Sequence, residues 1–294
     1  VAALSQLVLP WAASAEPGVR AEGPSSPAFE QLNAVTKDAY ERRDFEKALA
    51  GLTTIIEEFR PNEFEWYERR GQLLVDMKRF EKALADFETA ERMSGPQYKS
   101  LGLLSNRGLA YAGIFKWQEA VDAYSQAIRA AEDVGFQVPF VLNCRGMALA
   151  SLGRYEEAMR DYALSVETFQ KNGQLSPAIY AQSNAALLWA QLGDESRALK
   201  EVRKVAVRAP GSVDMRAAQA ALLFDAGEVA KAEGVWSDAC TKINTGVLNE
   251  GDLPVDGCAQ YRDPKWLEVE RRWPPVMLAK MRRFLALERP KWEY

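Results

Sequence analysis

The chain has 294 residues, a formal net charge of −4, 48% hydrophobic and 27% charged residues. That is the balance of an ordinary folded protein, with no global bias toward nucleic acid or an anionic membrane surface. Histidine is absent, which excludes Ser–His and Cys–His nucleophile pairs, imidazole acid–base chemistry and histidine metal sites.

No glycine-rich phosphate loop or paired-carboxylate constellation stands out. Cys144, Cys240 and Cys258 are too scattered for a zinc site, so no cofactor and no metal is expected. Cys240 and Cys258 can join in an oxidising compartment, for about 3 kcal/mol of chain entropy. Cys144 reads as a small buried hydrophobe.

Residues 1–15, VAALSQLVLPWAASA, carry no charge and end in Ala13-Ser14-Ala15 ahead of Glu16. They read as the end of a signal or lumen-targeting segment with an Ala-x-Ala cleavage site; the other reading is an N-terminal strand or helix. The stretch is short and contains Pro10, so no integral membrane span is expected. Residues 16–28 read as a flexible leader.

From 29 to 243 an alanine recurs: Ala48, Ala83, Ala120, Ala158, Ala198 and Ala232, at intervals of 35, 37, 38, 40 and 34. Intervals in this range mark helical-hairpin repeats. With that alanine numbered 20, a first helix needs a bulky residue at position 4, a small one at 8 and a large apolar one at 11. The second helix adds an aromatic near 17, a large residue at 24 and a small one at 27.

The second repeat supplies Tyr67, Gly71, Leu74, Phe80, Ala83, Phe87 and Ala90. Leu104, Gly108, Tyr111, Trp117, Ala120, Tyr124 and Ala127 do so in the third, and Leu142, Gly146, Leu149, Tyr155, Ala158, Tyr162 and Ser165 in the fourth. Small residues at 8 and 20 let the two helices approach while the large ones fill the space beside them. The first repeat has Thr36 where glycine is expected, and the fifth and sixth are degenerate, as outer repeats of a stack are. Insertions at AAEDVGFQVP and FQKNGQLSP lengthen the third and fourth repeats, with Pro139 and Pro177 in the first turn of the helix that follows.

These motifs resemble those of the tetratricopeptide repeat family, most plainly in SNRGLAYAGIFKWQEAVDAYSQAI and NCRGMALASLGRYEEAMRDYALSV. The resemblance implies an all-α, right-handed superhelical solenoid of six hairpins whose first helices line a concave groove. It places Asn106, Asn143, Met147, Tyr180 and Asn184 on that groove, beside Glu65, Glu68, Arg69 and Gln72 at its acidic N-terminal end. Two readings of the asparagines stand: hydrogen bonds to an extended peptide, or bonds to neighbouring helices or water. Arg70, Arg107 and Arg145 in register invite an anion ladder, against which stands ion pairing with second-helix acids such as Asp86 or Asp161.

Residues 244–294 form a turn-rich loop and a helical segment begun by Pro274-Pro275, with Met277, Leu278, Met281, Phe284 and Leu285 as one apolar stripe and Lys280, Arg282 and Arg283 away from it. One reading is a capping helix over the sixth repeat. The other docks Trp266, Trp273, Arg282 and Arg283 on a partner or anionic lipid.

The leader, the repeats and the run DPKWLEVERRWPP together resemble a family of tetratricopeptide proteins of cyanobacteria and the chloroplast lumen. That implies a non-enzymatic scaffold or assembly factor in the thylakoid lumen, binding other proteins or peptide segments and serving photosynthetic membrane complexes, with peripheral contact to the membrane or its complexes. A bacterial periplasmic adaptor, and an enzyme subunit using the C-terminal segment, are the alternatives.

Overall fold

The computed structural model describes residues 26–95, 98, 100–244 and 258–287, all of whose regular elements are helical. The expected leader over 1–15, most of 16–28 and the loop after residue 244 lie outside the described residues. The chain divides at Ala148 and Leu149 into two units.

The N-terminal unit holds α1 (Pro27–Glu41), α2 (Phe45–Thr54), α3 (Phe64–Asp76), α4 (Phe80–Ser94), α5 (Leu101–Gly113) and α6 (Trp117–Glu132), with α7 (Pro139–Ser151) crossing the division. A π-helical turn, Ile55–Phe59, prolongs α2. The C-terminal unit holds α8 (Tyr155–Lys171), α9 (Leu175–Gln191), α10 (Glu195–Arg208), α11 (Val213–Asp225), α12 (Val229–Asn244), α13 (Cys258–Tyr261), α14 (Pro264–Val269) and α15 (Pro275–Leu285). Through α6 in the first unit, and from α8 to α12 in the second, each helix packs on the next, and α5 also lies against α3.

All six recurring alanines are fully buried, at 0% exposure. The small residue at position 8 meets the large one at 24: a Cβ on Gly71 would sit 2.5 Å from the Phe87 ring, and one on Gly108 would sit 2.4 Å from Tyr124. The first hairpin inverts the arrangement. Thr36 is seated on α1, its hydroxyl donating to the Leu32 carbonyl at 2.7 Å, and the missing space is supplied from α2, where a Cβ on Gly51 would meet the Thr36 side chain at 2.1 Å. Successive hairpins interlock by the same means, since a Cβ on Gly113 would lie 2.4 Å from Phe80.

One turn closes all six hairpins. Position 15 is left-handed in each: Arg43, Lys78, Phe115, Gly153, Gly193 and Gly227, with φ between 57° and 84°. The next N–H then reaches back to the carbonyl at position 11, as in Lys116 to Tyr111 at 3.0 Å and Asp194 to Trp189 at 3.0 Å. This is a Schellman ending, which satisfies carbonyls that the helix end leaves free.

The inserted segments end their helices in the same left-handed way, at Gly135 and Gly173, and Pro139 begins α7 as expected. The extension after α6 leaves Val134 and Phe136 exposed.

The interlock yields a paired test by chemical denaturation. Gly108→Ala should destabilise its unit by about 1–3 kcal/mol through overpacking against Tyr124. Gly234→Ala, inside α12 with nothing within 4 Å of the added Cβ, should stabilise by about 0.5–1 kcal/mol through backbone entropy and helix propensity. Equal effects of one sign would contradict the packing.

Candidate functional site

In the N-terminal unit the first helices α3, α5 and α7 carry the expected groove positions. Their floor is polar and closed: Glu68, Gln72, Asn106, Asn143 and Met147 are all buried. Asn143 is 1% exposed and its amide donates weakly to the Met147 sulfur at 3.8 Å. At Asn143 the side chain bonds within its own helix, and an amide so enclosed does not reach a peptide. By register, the half-buried rim above that floor is Glu65, Arg69, Leu109 and Phe140. The Arg69 guanidinium lies over the Trp66 ring at 4.6 Å, and burial lowers its pKa against the pull of Glu65 and Glu68.

Glu68 is the acid of the floor. Burial pushes its carboxyl upward against hydrogen bonds from Ser100 and from Tyr98, the latter at 3.1 Å. Ser100 caps α5 with the same oxygen, accepting from Leu103 N–H at 3.1 Å, so the start of α5 is tied to an acid on α3. At the far end of α3, Asp76 accepts from the Tyr40 hydroxyl at 2.8 Å, and burial pushes its carboxyl up to about 6.

The in-register arginines pair with neighbouring side chains. Arg70 grips Asp86 through Nε and Nη2, each at 2.8 Å, Arg107 reaches Glu91 at 2.7 Å and Gln126 at 3.0 Å, and Arg145 reaches the Ser125 hydroxyl at 3.2 Å. An anion ladder is not what they form.

In the C-terminal unit the corresponding face is covered. Arg271, 8% exposed, donates to Asp214 (Nε to Oδ1, 2.9 Å) and to Asn184 (Nη1 to Oδ1, 3.0 Å), and its guanidinium stands 5.6 Å from the centre of the Tyr180 ring. Burial works against the charge of Arg271, but Asp214 beside it more than compensates and its pKa is raised. Tyr180 and Asn184, expected to meet an outside peptide, are thus engaged by the chain itself.

Trp273, expected as an outward contact, is a core residue whose indole N–H donates to Asp214 at 2.9 Å. Trp266 is half-buried, edge-on to Tyr261 at 5.2 Å. Arg282 and Arg283 stay exposed, bonded to Glu268 and Asp225.

Lys280 departs from expectation in the opposite sense: it is 2% exposed and inserted between Glu195 and Asp225. The apolar stripe of α15 lies on α11, with contact to α9, so the segment spans the first helices of two hairpins rather than capping the sixth alone. Cys240 and Cys258 are bonded, with their Cα atoms 5.6 Å apart, and Cys144 is buried outside that disulfide.

Sequence reasoning missed the Arg271–Asp214–Asn184 cluster. The signal lay in VDMRAAQAALLFD, where Asp214 is an acid on a helix of mostly buried small and apolar residues, a position that requires a partner. Among the described residues no group of three or more acidic or cysteine side chains is placed to hold a metal ion, and no helix is long and apolar enough to cross a membrane.

Residues 37–98 and 105–173 match the Tetratricopeptide repeat family. No curated protein matches the chain. Among solved structures it is similar to a tetratricopeptide repeat protein from Parabacteroides merdae ATCC 43184, with TM-score 0.59 and 17% identity over 89% of this chain and 100% of that one. It is also similar to MamA from Desulfovibrio magneticus RS-1 (residues 41 to the end), with TM-score 0.54 and 14% identity over 65% of this chain and 99% of that one. At such identities the likeness shows the fold.

Two measurements check the electrostatics. Asp76 binds its proton more tightly folded than unfolded, so its contribution to stability falls as pH rises from about 4 through 6, by up to about 3 kcal/mol. Asp76→Asn should remove that component from the pH dependence of thermal unfolding, and a pH profile matching that of the wild type would refute it. Arg271→Ala should destabilise the C-terminal unit by about 3–5 kcal/mol, because it strands a buried carboxylate. Chemical denaturation followed by tryptophan fluorescence reads this loss.

Proposed function

We propose that this chain, a carrier of tetratricopeptide repeats, is a non-enzymatic scaffold that binds segments of other proteins along the first helices of its N-terminal unit. The observation that carries the reading is the half-buried rim of Glu65, Arg69, Leu109 and Phe140 over a closed polar floor. Side chains so placed offer charge of both signs and apolar surface at successive hairpins, while the floor holds their helices in register. Many shallow contacts of this kind suit a peptide segment better than a small substrate.

The proposed site of action is the thylakoid lumen, with photosynthetic membrane complexes as clients. Two things support it: the resemblance of the leader and the DPKWLEVERRWPP run to lumenal tetratricopeptide proteins, and a Cys240–Cys258 bond that suits an oxidising compartment. The same bond favours a bacterial periplasmic adaptor as the second reading. For peripheral contact with a membrane or its complexes, Trp266, Arg282 and Arg283 are what the C-terminal segment still offers.

A photo-crosslinking amino acid at positions 109 and 140 of the full chain should capture a client from isolated lumen, whereas the same group at exposed Glu88 and Asp122 on the second helices should not. Equal capture from both sets would overturn the reading. Leu109→Asp should reduce capture at position 140 at least tenfold, about 1.4 kcal/mol. Recovery of the clients from periplasm instead would move the site of action without moving the binding face.

A further inference from the structure

The face formed by α9 and α11 meets the C-terminal segment with both polar and apolar groups. Tyr180, Asn184 and Gln191 on α9 and Asp214 on α11 are each met by a group of the C-terminal segment. Arg271 takes Asp214, Asn184 and the side of Tyr180; Trp273 takes Asp214; and the Val276 N–H donates to the Gln191 side-chain oxygen at 2.9 Å.

Buried arginine and tryptophan anchors are the groups that dominate protein–protein interfaces. Around them α15 lays Met277, Met281 and Phe284 on the face, all 0% exposed, with Lys280 between two acids. A further repeat would pack its first helix on α11 and α12; α15 lies mainly on α11 and also on α9, which belong to successive hairpins, and meets α12 through Phe284 edge-on to Trp236.

We propose that this face is a segment-binding site whose resident occupant is residues 271–284 of the same chain. An outside segment enters only by displacing that occupant, and must present the same chemistry: an arginine, a tryptophan two residues later, and a proline-initiated amphipathic helix with a lysine for the two acids. The Cys240–Cys258 bond fastens α13, which precedes the occupant in the chain, to α12. That tether keeps the occupant at high effective concentration, against which a free segment competes poorly. The proposal concerns the C-terminal unit and stands apart from the rim at Leu109 and Phe140.

The test uses the full chain and a fluorescent peptide of residues 263–287, read by anisotropy. Oxidised wild type should bind the peptide weakly. Trp273→Ala, which loosens the occupant, should bind it at least tenfold more tightly, and the Cys240→Ser, Cys258→Ser chain should fall between the two. Adding Asp214→Asn to Trp273→Ala should cancel the gain.

Hydrogen exchange on the same chains gives the second reading. α15 should exchange faster in Trp273→Ala while α10 and α12, the second helices of the same hairpins, stay protected. Absence of any gain in peptide binding with α10 and α12 protected overturns the proposal. So does loss of protection throughout α8–α12, which would make the segment an inseparable part of the core.

Discussion

The arrangement depends on small side chains meeting larger ones between paired helices, as the first three hairpins show. Ala48, Ala83, Ala120, Ala158, Ala198 and Ala232 have no exposed surface, and Gly71 and Gly108 leave room only for the rings of Phe87 and Tyr124. Close-packed interiors have no slack to absorb an extra methyl group at such points. The contact therefore fixes the distance between paired helices, and with it the spacing of the first helices that carry the candidate groove residues. The Thr36–Gly51 contact shows that the space, not the identity of the residue at one position, is what the hairpin requires.

Most of the architecture was legible because this constraint writes itself into sequence as a period. The alanine intervals and the positions around them gave the hairpins, and Pro139 marked the start of α7. The left-handed turn residues were harder to see. Glycine stands there in three hairpins, but Arg43, Lys78 and Phe115 adopt the same φ without announcing it.

The candidate site was legible in outline only. Register placed Asn106, Asn143, Tyr180 and Asn184 on first helices, but register carries no information about burial. Asn143 turned inward beside Met147, and Asn184 was claimed by a residue 87 positions away. Long-range pairs of that kind leave no periodic trace. What they leave is an unpaired charge in an apolar run, as at Asp214, or a lysine such as Lys280 among the buried residues of an apolar stripe. Composition shows the charge and is silent about its partner.

The pairing of Arg271 with Asp214 also has a consequence for how the polypeptide is made. The two residues are 57 positions apart in sequence, so Asp214 leaves the ribosome first and waits for its counter-charge. At about 5–20 residues per second, the interval is roughly 3–11 s. During that time α9 and α11 display an acid and an uncovered apolar flank to whatever is nearby. The polar pairs described in the N-terminal hairpins close over shorter spans, 16 residues for Arg70–Asp86 and 36 for Tyr40–Asp76. Nascent-chain vulnerability in this molecule is thus concentrated in its fifth and sixth hairpins, and it ends when α15 arrives.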